Sequence, residues 1–222
     1  ITAPVKDEGG AVNGKTVLMG VNDSDLAQCT LSSNASCTTN ATSPLVAILD
    51  QAIGIEKAIL NTVHAYTASQ SLVDGPKKDF REGRAAAQNI VPTSTGAAIA
   101  TTLVHTHLKN KFDGISIRVP VPVGSIVDIT FIAKRDTTVA EVNKALTDAT
   151  TSDTWKDLFA VTLEPLVSSD IIGARYAAIA DLEMTRVVGG NLVKVLAWYD
   201  NETSYTHTLV EHIKKISQIL RQ

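Results

Sequence analysis

The sequence has few cysteines, few aromatic residues and little net charge. Two cysteines in 222 residues, Cys29 and Cys37, are too few for a secreted disulfide framework, so we expect reduced thiols, with a bridge between them as the alternative. A net charge of -3 gives no electrostatic footprint for nucleic acid or an anionic membrane. No apolar run reaches the length of a membrane span, and no signal sequence opens the chain. These absences predict a cytoplasmic protein without nucleic-acid or membrane partners.

Two further absences concern the start of the chain and its glycines. The first residue is Ile1 rather than an initiator methionine, which suggests a piece of a longer protein. No G-x-G-x-x-G motif follows any predicted strand, so the usual phosphate-binding turn of a dinucleotide fold is missing. Hydrophobic residues nevertheless make up 44% of the chain, which is enough to bury a substantial core.

The pattern of apolar residues predicts strands and helices in mixed succession. Residues 1–14, rich in breakers and charges, read as a connecting segment. Strands are predicted at 15–21, 27–31, 55–67, 115–121, 125–134, 159–167, 176–186 and 192–199, and helices at 41–52, 96–108, 139–149 and 203–220. This succession favours an α+β domain built on a large, mainly antiparallel or mixed sheet with helices on one face.

Several local signals mark the ends of these elements. Gly54 is a helix stop signal, and Thr138 with Glu141 forms a capping box. The glycines of Val188-Gly-Gly-Asn191 suit a hairpin turn. The last helix is predicted to be amphipathic, and its apolar face carries Leu209, Ile213, Ile216 and Leu220.

Cys37 is the strongest candidate for chemistry. It lies in the run Ser33-Asn-Ala-Ser-Cys-Thr-Thr-Asn40, among hydroxyl and amide side chains at the start of a predicted helix. Backbone N–H groups and the helix dipole favour a thiolate there, so we expect a lowered pKa. The local pattern alone leaves an inert thiol as an equal alternative.

Other stretches carry candidate residues for which a purely structural role stays open. His64, near the end of a strand, could be a base or a core histidine, and Arg118 could hold an anion or form a structural ion pair. Residues 74–84 read as a long surface loop. The helix that opens at Pro92-Thr-Ser-Thr-Gly96 could bind phosphate through its N–H groups, although capping by Ser94 or Thr95 explains the same pattern.

Taken together, five motifs in order resemble the glyceraldehyde-3-phosphate dehydrogenase family over nearly the whole chain. The run around Cys37 is similar to that family's catalytic-cysteine octapeptide, and Thr62-Val-His-Ala-Tyr-Thr67 to its catalytic-histidine strand. The remaining similarities are Asp74-Gly-Pro76 through Arg84 to Ala98, Ile117-Arg-Val-Pro-Val-Pro122 with Ser125-Ile-Val-Asp128, and Trp198-Tyr-Asp-Asn-Glu202.

The resemblance implies a glycolytic enzyme that oxidises glyceraldehyde 3-phosphate with NAD (or NADP) and inorganic phosphate. Cys37 would be the nucleophile that forms a thioester, and His64 its base. The phosphate-binding residues implied are Ser36, Thr38, Thr95 and Gly96 for inorganic phosphate, and Thr67, Ser69 and Arg118 for the substrate's phosphate. The cofactor residues implied are Asn201 and Tyr205. No residue is implied to bind a metal.

The resemblance also implies that part of the family's architecture is absent. Residues 1–200 would be the catalytic domain, and residues 201–222 a C-terminal helix that packs on a missing N-terminal NAD-binding Rossmann domain. We therefore expect the chain alone to be inactive as a dehydrogenase, to be at least a homodimer (the full-length family is tetrameric), and to have the missing domain as a possible partner.

Departures from the family pattern keep alternatives open. Ala41 stands where many members carry a second cysteine, and residues 201–205 lack the family's aromatic residue and glycine, which weakens the cofactor assignment. The rival functions are an erythrose-4-phosphate dehydrogenase, an acyl-transfer or hydrolytic enzyme that uses Cys37 and His64 without a nucleotide, and a non-catalytic binding or assembly module.

Overall fold

A computed structural model describes residues 1–3 and 13–221 of the chain, so most of the predicted connecting segment lies outside the described residues. The strands are β1 Gly14–Thr16, β2 Leu31–Ser33, β3 Ile55–Ala65, β4 Val91–Ser94, β5 Phe112–Val119, β6 Ser125–Ala133, β7 Phe159–Thr162, β8 Ala178–Val188 and β9 Leu192–Tyr199. The α-helices are α1 Cys37–Ile53, α2 Ala97–Val104, α3 Val139–Ala149 and α4 Thr203–Ile219. Short 3-10 helices cover Asp23–Gln28 and Thr106–Leu108. Across this described part, no helix is both long and apolar enough to cross a membrane.

Seven strands form one mixed sheet in the order β4-β5-β3-β6-β9-β8-β7. The pairs β3/β5 and β7/β8 are parallel, and the other four pairs are antiparallel. A separate parallel pair joins β1 to β2. The predicted α+β class with a mainly antiparallel, mixed sheet is therefore confirmed. β5 and β6, although consecutive in the chain, are not neighbours, because β3 lies between them.

The core lies between one face of the sheet and the helices α1 and α3. Burial alternates along β6, so that Val127, Ile129 and Phe131 point into the core, where they meet α1 residues such as Leu45 and Leu49. Removing such side chains from water stabilises the fold by about 1.5–3 kcal/mol each. The alternation that predicted the strands therefore also determines which face is covered.

Two of the predicted strands are wrong over much of their length. Residues 15–21 form a strand only to Thr16, because Asn22 then accepts a hydrogen bond from the N–H of Leu18 and donates one to the carbonyl of Thr16. This side chain satisfies the backbone in a turn instead of a ladder. Of residues 27–31, the first two end a 3-10 helix, the next two connect it to β2, and β2 begins only at Leu31.

A third predicted strand, 159–167, is shorter than expected. It ends at Thr162, whose hydroxyl accepts a hydrogen bond from the N–H of Glu164 and so begins a turn. Pro165 follows and has no N–H to offer to a sheet ladder.

The predicted element ends are largely confirmed. Gly54 ends α1 with a φ of 76°, and Gly189 and Gly190 turn the β8–β9 hairpin with φ values of 59° and 86°. These angles are favourable for glycine alone among ordinary residues. Thr138 caps α3 by accepting a hydrogen bond from the N–H of Glu141, as the capping box predicts.

Helix α4 is confirmed, but it buries a polar face. Its buried residues are Ser204, Thr208 and His212. On the predicted apolar face, Ile216 packs against the core, whereas Ile213 and Leu220 are 56% and 81% exposed. The polar face is buried because it finds partners on the domain: Thr208 accepts a hydrogen bond from Asn34, and His212 bonds the hydroxyl of Ser32.

The buried histidines predict that acid weakens the fold. Burial lowers the pKa of His105 to about 4, so the unfolded state, with a histidine pKa near 6.5, binds more protons between these values. Stability from His105 is therefore complete above about pH 6.5 and is lost as the pH falls toward 4. In His105→Gln, the slope of unfolding free energy against pH in this window should decrease by about 1.4 kcal/mol per pH unit, measured by urea unfolding.

Thr102→Ala, which changes a partly exposed residue of α2 and no titratable group, is the control and should keep the wild-type slope. An unchanged slope in His105→Gln would show that His105 protonates in the folded chain as readily as in the unfolded one.

Candidate active site

A turn with an unusual backbone presents Cys37 at the start of α1. Ala35 has a φ of 53°, a conformation that costs a residue with a side chain about 1 kcal/mol. Asn40 holds this turn, because its Nδ2 donates to the carbonyls of Asn34 at 2.7 Å and Ser36 at 2.9 Å. The asparagine at the end of the octapeptide thus fixes the backbone just before the thiol.

The structure brings Cys37 and His64 together. The Sγ atom of Cys37 lies 3.4 Å from Nε2 of His64, which is the next-to-last residue of β3. Cys37 is partly buried at the first position of α1, and His64 is buried. Both Cys29 and Cys37 are free thiols, as predicted. This contact can pass a proton between sulfur and imidazole.

Arg118 reaches His64 because of the sheet register. In the parallel β3/β5 pair, His64 and Arg118 are direct partners, and both point to the side of the sheet that carries Cys37. Nη1 of Arg118 lies 2.5 Å from Nδ1 of His64 and donates to the carbonyl of Ala65 at 3.1 Å. Within residues 13–221, the buried Nε of Arg118 has no hydrogen-bond partner.

Burial shifts the pKa values of this pair. It raises the pKa of the Cys37 thiol, although the N–H and hydroxyl of Thr38 and the charge of Arg118 act in the opposite direction. The predicted lowering is therefore wrong in its net direction, since removal from water outweighs the helix N-terminus. Burial and the charge of Arg118 lower the pKa of His64 to about 4, so the imidazole is neutral at pH 7.

Sequence reasoning missed Tyr199 at the end of β9. Its fully buried hydroxyl bonds the hydroxyls of Thr38 at 2.8 Å and Thr62 at 2.9 Å, and burial raises its pKa. Its ring packs edge-on against His64, with centroids 5.9 Å apart. Buried and more exposed residues alternate along β9, which places Tyr199 on the inward face. This alternation is the sequence signal that could have identified Tyr199. Tyr199 therefore links the helix that carries Cys37 to the strand that carries His64.

The hydroxyls predicted beside Cys37 are occupied by internal bonds. Ser36 caps α1, since its Oγ accepts a hydrogen bond from the N–H of Thr39. The hydroxyl of Thr38 is buried against Tyr199. In this conformation, an anion near the thiol would meet backbone N–H groups of the first turn more readily than these two hydroxyls.

Thr67 and Ser69 lie together just beyond β3. Their hydroxyls are 3.1 Å apart, both residues are exposed, and the side chain of Gln70 bonds to each. Among the hydrogen bonds of the described residues, none joins Thr67 or Ser69 to Arg118. The three residues therefore do not form one bonded cluster here.

Thr95 and Gly96 precede α2. Thr95 accepts a hydrogen bond from the N–H of Ala97, and Gly96 is the exposed N-cap. A Cβ on Gly96 would meet no atom within 4 Å, and its φ is ordinary, so neither packing nor backbone conformation requires glycine there. That open space leaves room for a ligand to approach the backbone. α2 adjoins the turn before Cys37, because Ala100 packs with Ala35.

The two predicted cofactor residues border the same site. Oδ1 of Asn201 accepts hydrogen bonds from the N–H of Gly124 and the hydroxyl of Ser125, each at 3.1 Å. The hydroxyl of Tyr205 donates to the carbonyl of Ala35 at 3.4 Å, and burial raises its pKa. Within the described part of the chain, no group of three or more His, Cys, Asp or Glu side chains is placed to hold a metal ion.

Residues 36–201 match the family described as "Glyceraldehyde 3-phosphate dehydrogenase, C-terminal domain". The chain is 46% identical over 213 residues to glyceraldehyde-3-phosphate dehydrogenase 2 of Streptomyces avermitilis, covering 95% of this chain and 62% of that protein. It is 45% identical over 218 residues to glyceraldehyde-3-phosphate dehydrogenase of Borreliella burgdorferi, covering 97% and 64%. The chain thus spans less than two thirds of the length of these relatives.

The turn before Cys37 supplies a test of the site. Replacing Asn40 with alanine removes two hydrogen bonds to backbone carbonyls, so we expect a loss of about 1–3 kcal/mol in unfolding free energy. Because the turn also orients the first residue of α1, alkylation of Cys37 by iodoacetamide at pH 7 should slow as well.

Asn143→Ala is the control, because Asn143 makes a similar bond to the carbonyl of Leu182 away from the thiol. It should lose stability but keep the wild-type alkylation rate. If Asn40→Ala were alkylated as fast as the wild type, the turn would not control Cys37.

Proposed function

Because this chain belongs to the glyceraldehyde-3-phosphate dehydrogenase family through its C-terminal catalytic domain, we propose that it carries out the thiol chemistry of a phosphorylating, nicotinamide-dependent glyceraldehyde-3-phosphate dehydrogenase. The chain spans 62% of the length of such a relative, so the complete reaction is part of what we propose. Such an enzyme would act in glycolysis in the cytoplasm. The observation that carries the proposal is the contact of 3.4 Å between Cys37 Sγ and His64 Nε2 at the start of α1.

The proposed reaction begins at the Cys37 sulfur. The Cys37 thiol gives its proton to solvent, and the thiolate adds to the aldehyde carbon. A C–S bond forms, the carbonyl π bond breaks, and the oxygen takes a proton from solvent to become a hydroxyl. His64 then accepts the hydroxyl proton as hydride leaves the same carbon, and a thioester remains. Neutral His64 suits this role, because its pKa of about 4 leaves it unprotonated at pH 7. Phosphate oxygen finally attacks the thioester carbon, and Cys37 leaves as thiolate.

Two anion sites are proposed around the thiol. Arg118 offers charge and a forked donor set for the substrate's phosphate, with Thr67 and Ser69 as further donors. The first turn of α1 at Ser36 and Thr38, together with the start of α2 at Thr95 and Gly96, offers N–H groups for inorganic phosphate. A four-carbon sugar phosphate would use the same groups, so erythrose 4-phosphate is the alternative substrate.

NAD, when bound, would supply the hydride acceptor. The residues here fit only its nicotinamide end. The carboxamide oxygen of Asn201 is already bonded, which leaves its NH₂ group to donate to a nicotinamide amide, and Tyr205 lies beside it in the same motif. The sheet of the described residues is mixed and mostly antiparallel, unlike a doubly wound dinucleotide fold. We propose that the remaining site, including the choice of NAD or NADP, lies in an N-terminal domain.

The division of the cofactor site predicts that this chain reduces no NAD by itself. With glyceraldehyde 3-phosphate, inorganic phosphate and NAD, NADH formation measured at 340 nm should not exceed that of Cys37→Ser. Iodoacetamide should still label wild-type Cys37, which would show that the thiol is reactive. NADH formation near the rate of a full-length relative would refute the prediction, and steady Cys37-dependent turnover of an activated ester would favour a hydrolytic enzyme instead.

The face of the sheet opposite α1 supports a proposed homo-oligomer. Alternation along β3 and β5 turns Ile59 and Ile115 outward, where they are 63% and 52% exposed. Leu192 and Val188 extend this apolar surface across β9 and β8, and a groove of about 1000 Å³ runs beside Ile59. An apolar strand face of this kind is normally covered, and the family resemblance makes a second copy of the chain its proposed partner.

Introducing a charge on this face should break the assembly. We expect the wild-type chain to sediment as a dimer or larger, and Ile59→Lys to sediment as a monomer, because burial of an unpaired ammonium is costly. Leu163→Lys, at an exposed position just beyond β7, is the control and should leave the mass unchanged. A monomeric wild-type chain at micromolar concentrations in analytical ultracentrifugation would contradict the proposed interface.

A further inference from the structure

Two groups meet at one nitrogen of His64. Nδ1 lies 2.6 Å from the carbonyl oxygen of Ala65 and 2.5 Å from Nη1 of Arg118. The carbonyl only accepts hydrogen bonds, and the guanidinium only donates them. Nδ1 can therefore satisfy one neighbour at a time: with a proton it donates to Ala65, and without one it accepts from Arg118.

From these contacts we propose that Arg118 fixes the tautomer of His64, and that an oxyanion bound by Arg118, such as a phosphate monoester, reverses it. The identity of that oxyanion as the substrate's phosphate rests on the proposed function. The effect of Arg118 on the tautomer is independent of the proposed function. Arg118 would thus be a positioning residue for His64 in addition to an anion ligand.

In the anion-free chain, the guanidinium outweighs the carbonyl because it is charged and stands in hydrogen-bond contact with Nδ1. It also satisfies Ala65 directly, by donating to that carbonyl at 3.1 Å. Nδ1 is then unprotonated, and the single proton of the neutral ring is on Nε2. Since Nε2 faces Sγ of Cys37 at 3.4 Å, His64 offers the sulfur a donor and stabilises a thiolate.

An oxyanion changes this balance by taking the N–H groups of Arg118. The carbonyl of Ala65 then remains as the partner of Nδ1, 2.6 Å away, and favours a proton on that nitrogen. One proton leaves Nε2 for solvent and one returns to Nδ1, so the ring stays neutral. Nε2 now presents a lone pair toward Cys37, which is the form that can accept the proton of a reacting hydroxyl.

The surroundings of His64 favour a change of its tautomer over a change of its charge. Burial lowers the pKa of His64 more than the charge of Arg118 does, and it continues to favour the neutral ring when an oxyanion takes the N–H groups of Arg118. Among the described residues, the titratable groups in contact with the ring are Cys37, Arg118 and Tyr199. The edge-to-face contact of Tyr199, with planes at 72°, opposes a ring flip that would exchange the two nitrogens.

The tautomer can be read directly from the ¹⁵N chemical shifts of a ¹⁵N-histidine-labelled chain. At pH 7 without phosphate, wild-type His64 should carry its proton on Nε2, whereas Arg118→Met should carry it on Nδ1. Arg186→Met removes an exposed arginine near the other end of the sheet and should match the wild type. The same tautomer in wild type and Arg118→Met would overturn the proposal.

Titration with inorganic phosphate tests the reversal in the wild type, so it does not depend on a variant that folds. Phosphate should move the wild-type proton from Nε2 to Nδ1 and leave Arg118→Met unchanged. Binding at Arg118 without a change of tautomer would overturn the reversal. A lack of binding at Arg118 would overturn both the reversal and the proposed phosphate site.

The pH profile of Cys37 alkylation provides a second readout that a purely structural role would not move. Without Arg118, the sulfur loses a nearby positive charge and faces an acceptor, so the apparent pKa of alkylation by iodoacetamide should rise by about one unit. The rate at pH 7 should then fall about tenfold in Arg118→Met and stay unchanged in Arg186→Met. An unshifted profile in Arg118→Met would count against the proposal.

Discussion

The site depends on one helix–turn–strand unit. α1 contains 17 residues, so it is about 25 Å long, and the nine steps from Ile55 to His64 along β3 cover about 30 Å. Because only Gly54 separates the two elements, β3 runs back along α1, and its end returns to the start of the helix. The positive φ of Gly54 makes so short a reversal possible. A separation of 27 residues in the chain, from 37 to 64, thereby becomes a contact of 3.4 Å.

The sheet adds a positive charge beside the thiol and the imidazole. Parallel pairing with β5 places Arg118 beside His64, and antiparallel pairing through β6 and β9 brings Tyr199 beneath the same ring. Burial then works against ionisation of both members of the thiol–imidazole pair. The thiolate must therefore be supported by donors and by the guanidinium rather than by an imidazolium. A neutral base remains available, and the cost is a thiol that ionises less readily than an exposed one.

Sequence periodicity predicted the elements whose own residues determine them. β9 has the predicted bounds, and α3 begins at its predicted cap because Thr138 and Glu141 are close in sequence. The runs at 15–21 and 27–31 were misread because the side chain of Asn22 supplies the backbone with partners that apolar spacing does not reveal. The resemblance predicted Cys37 and His64. The raised pKa of Cys37 and the network of Tyr199 arise from burial and register, which depend on strands far away in the chain.

Helix α4 lies between an exposed surface and the segment that carries Cys37. Its inner face is bonded to the segment that carries Cys37, through Thr208 to Asn34 and through Tyr205 to Ala35. The carbonyl of Asn34 in turn accepts a hydrogen bond from the side chain of Asn40. Its outer face shows Ile213 and Leu220 to solvent. In the proposed full-length enzyme, a nucleotide domain that covered this outer face would rest on the same turn that presents the nucleophile, because few bonds separate the two. Docking of the cofactor half and placement of the thiol would then be mechanically linked through residues 34–40.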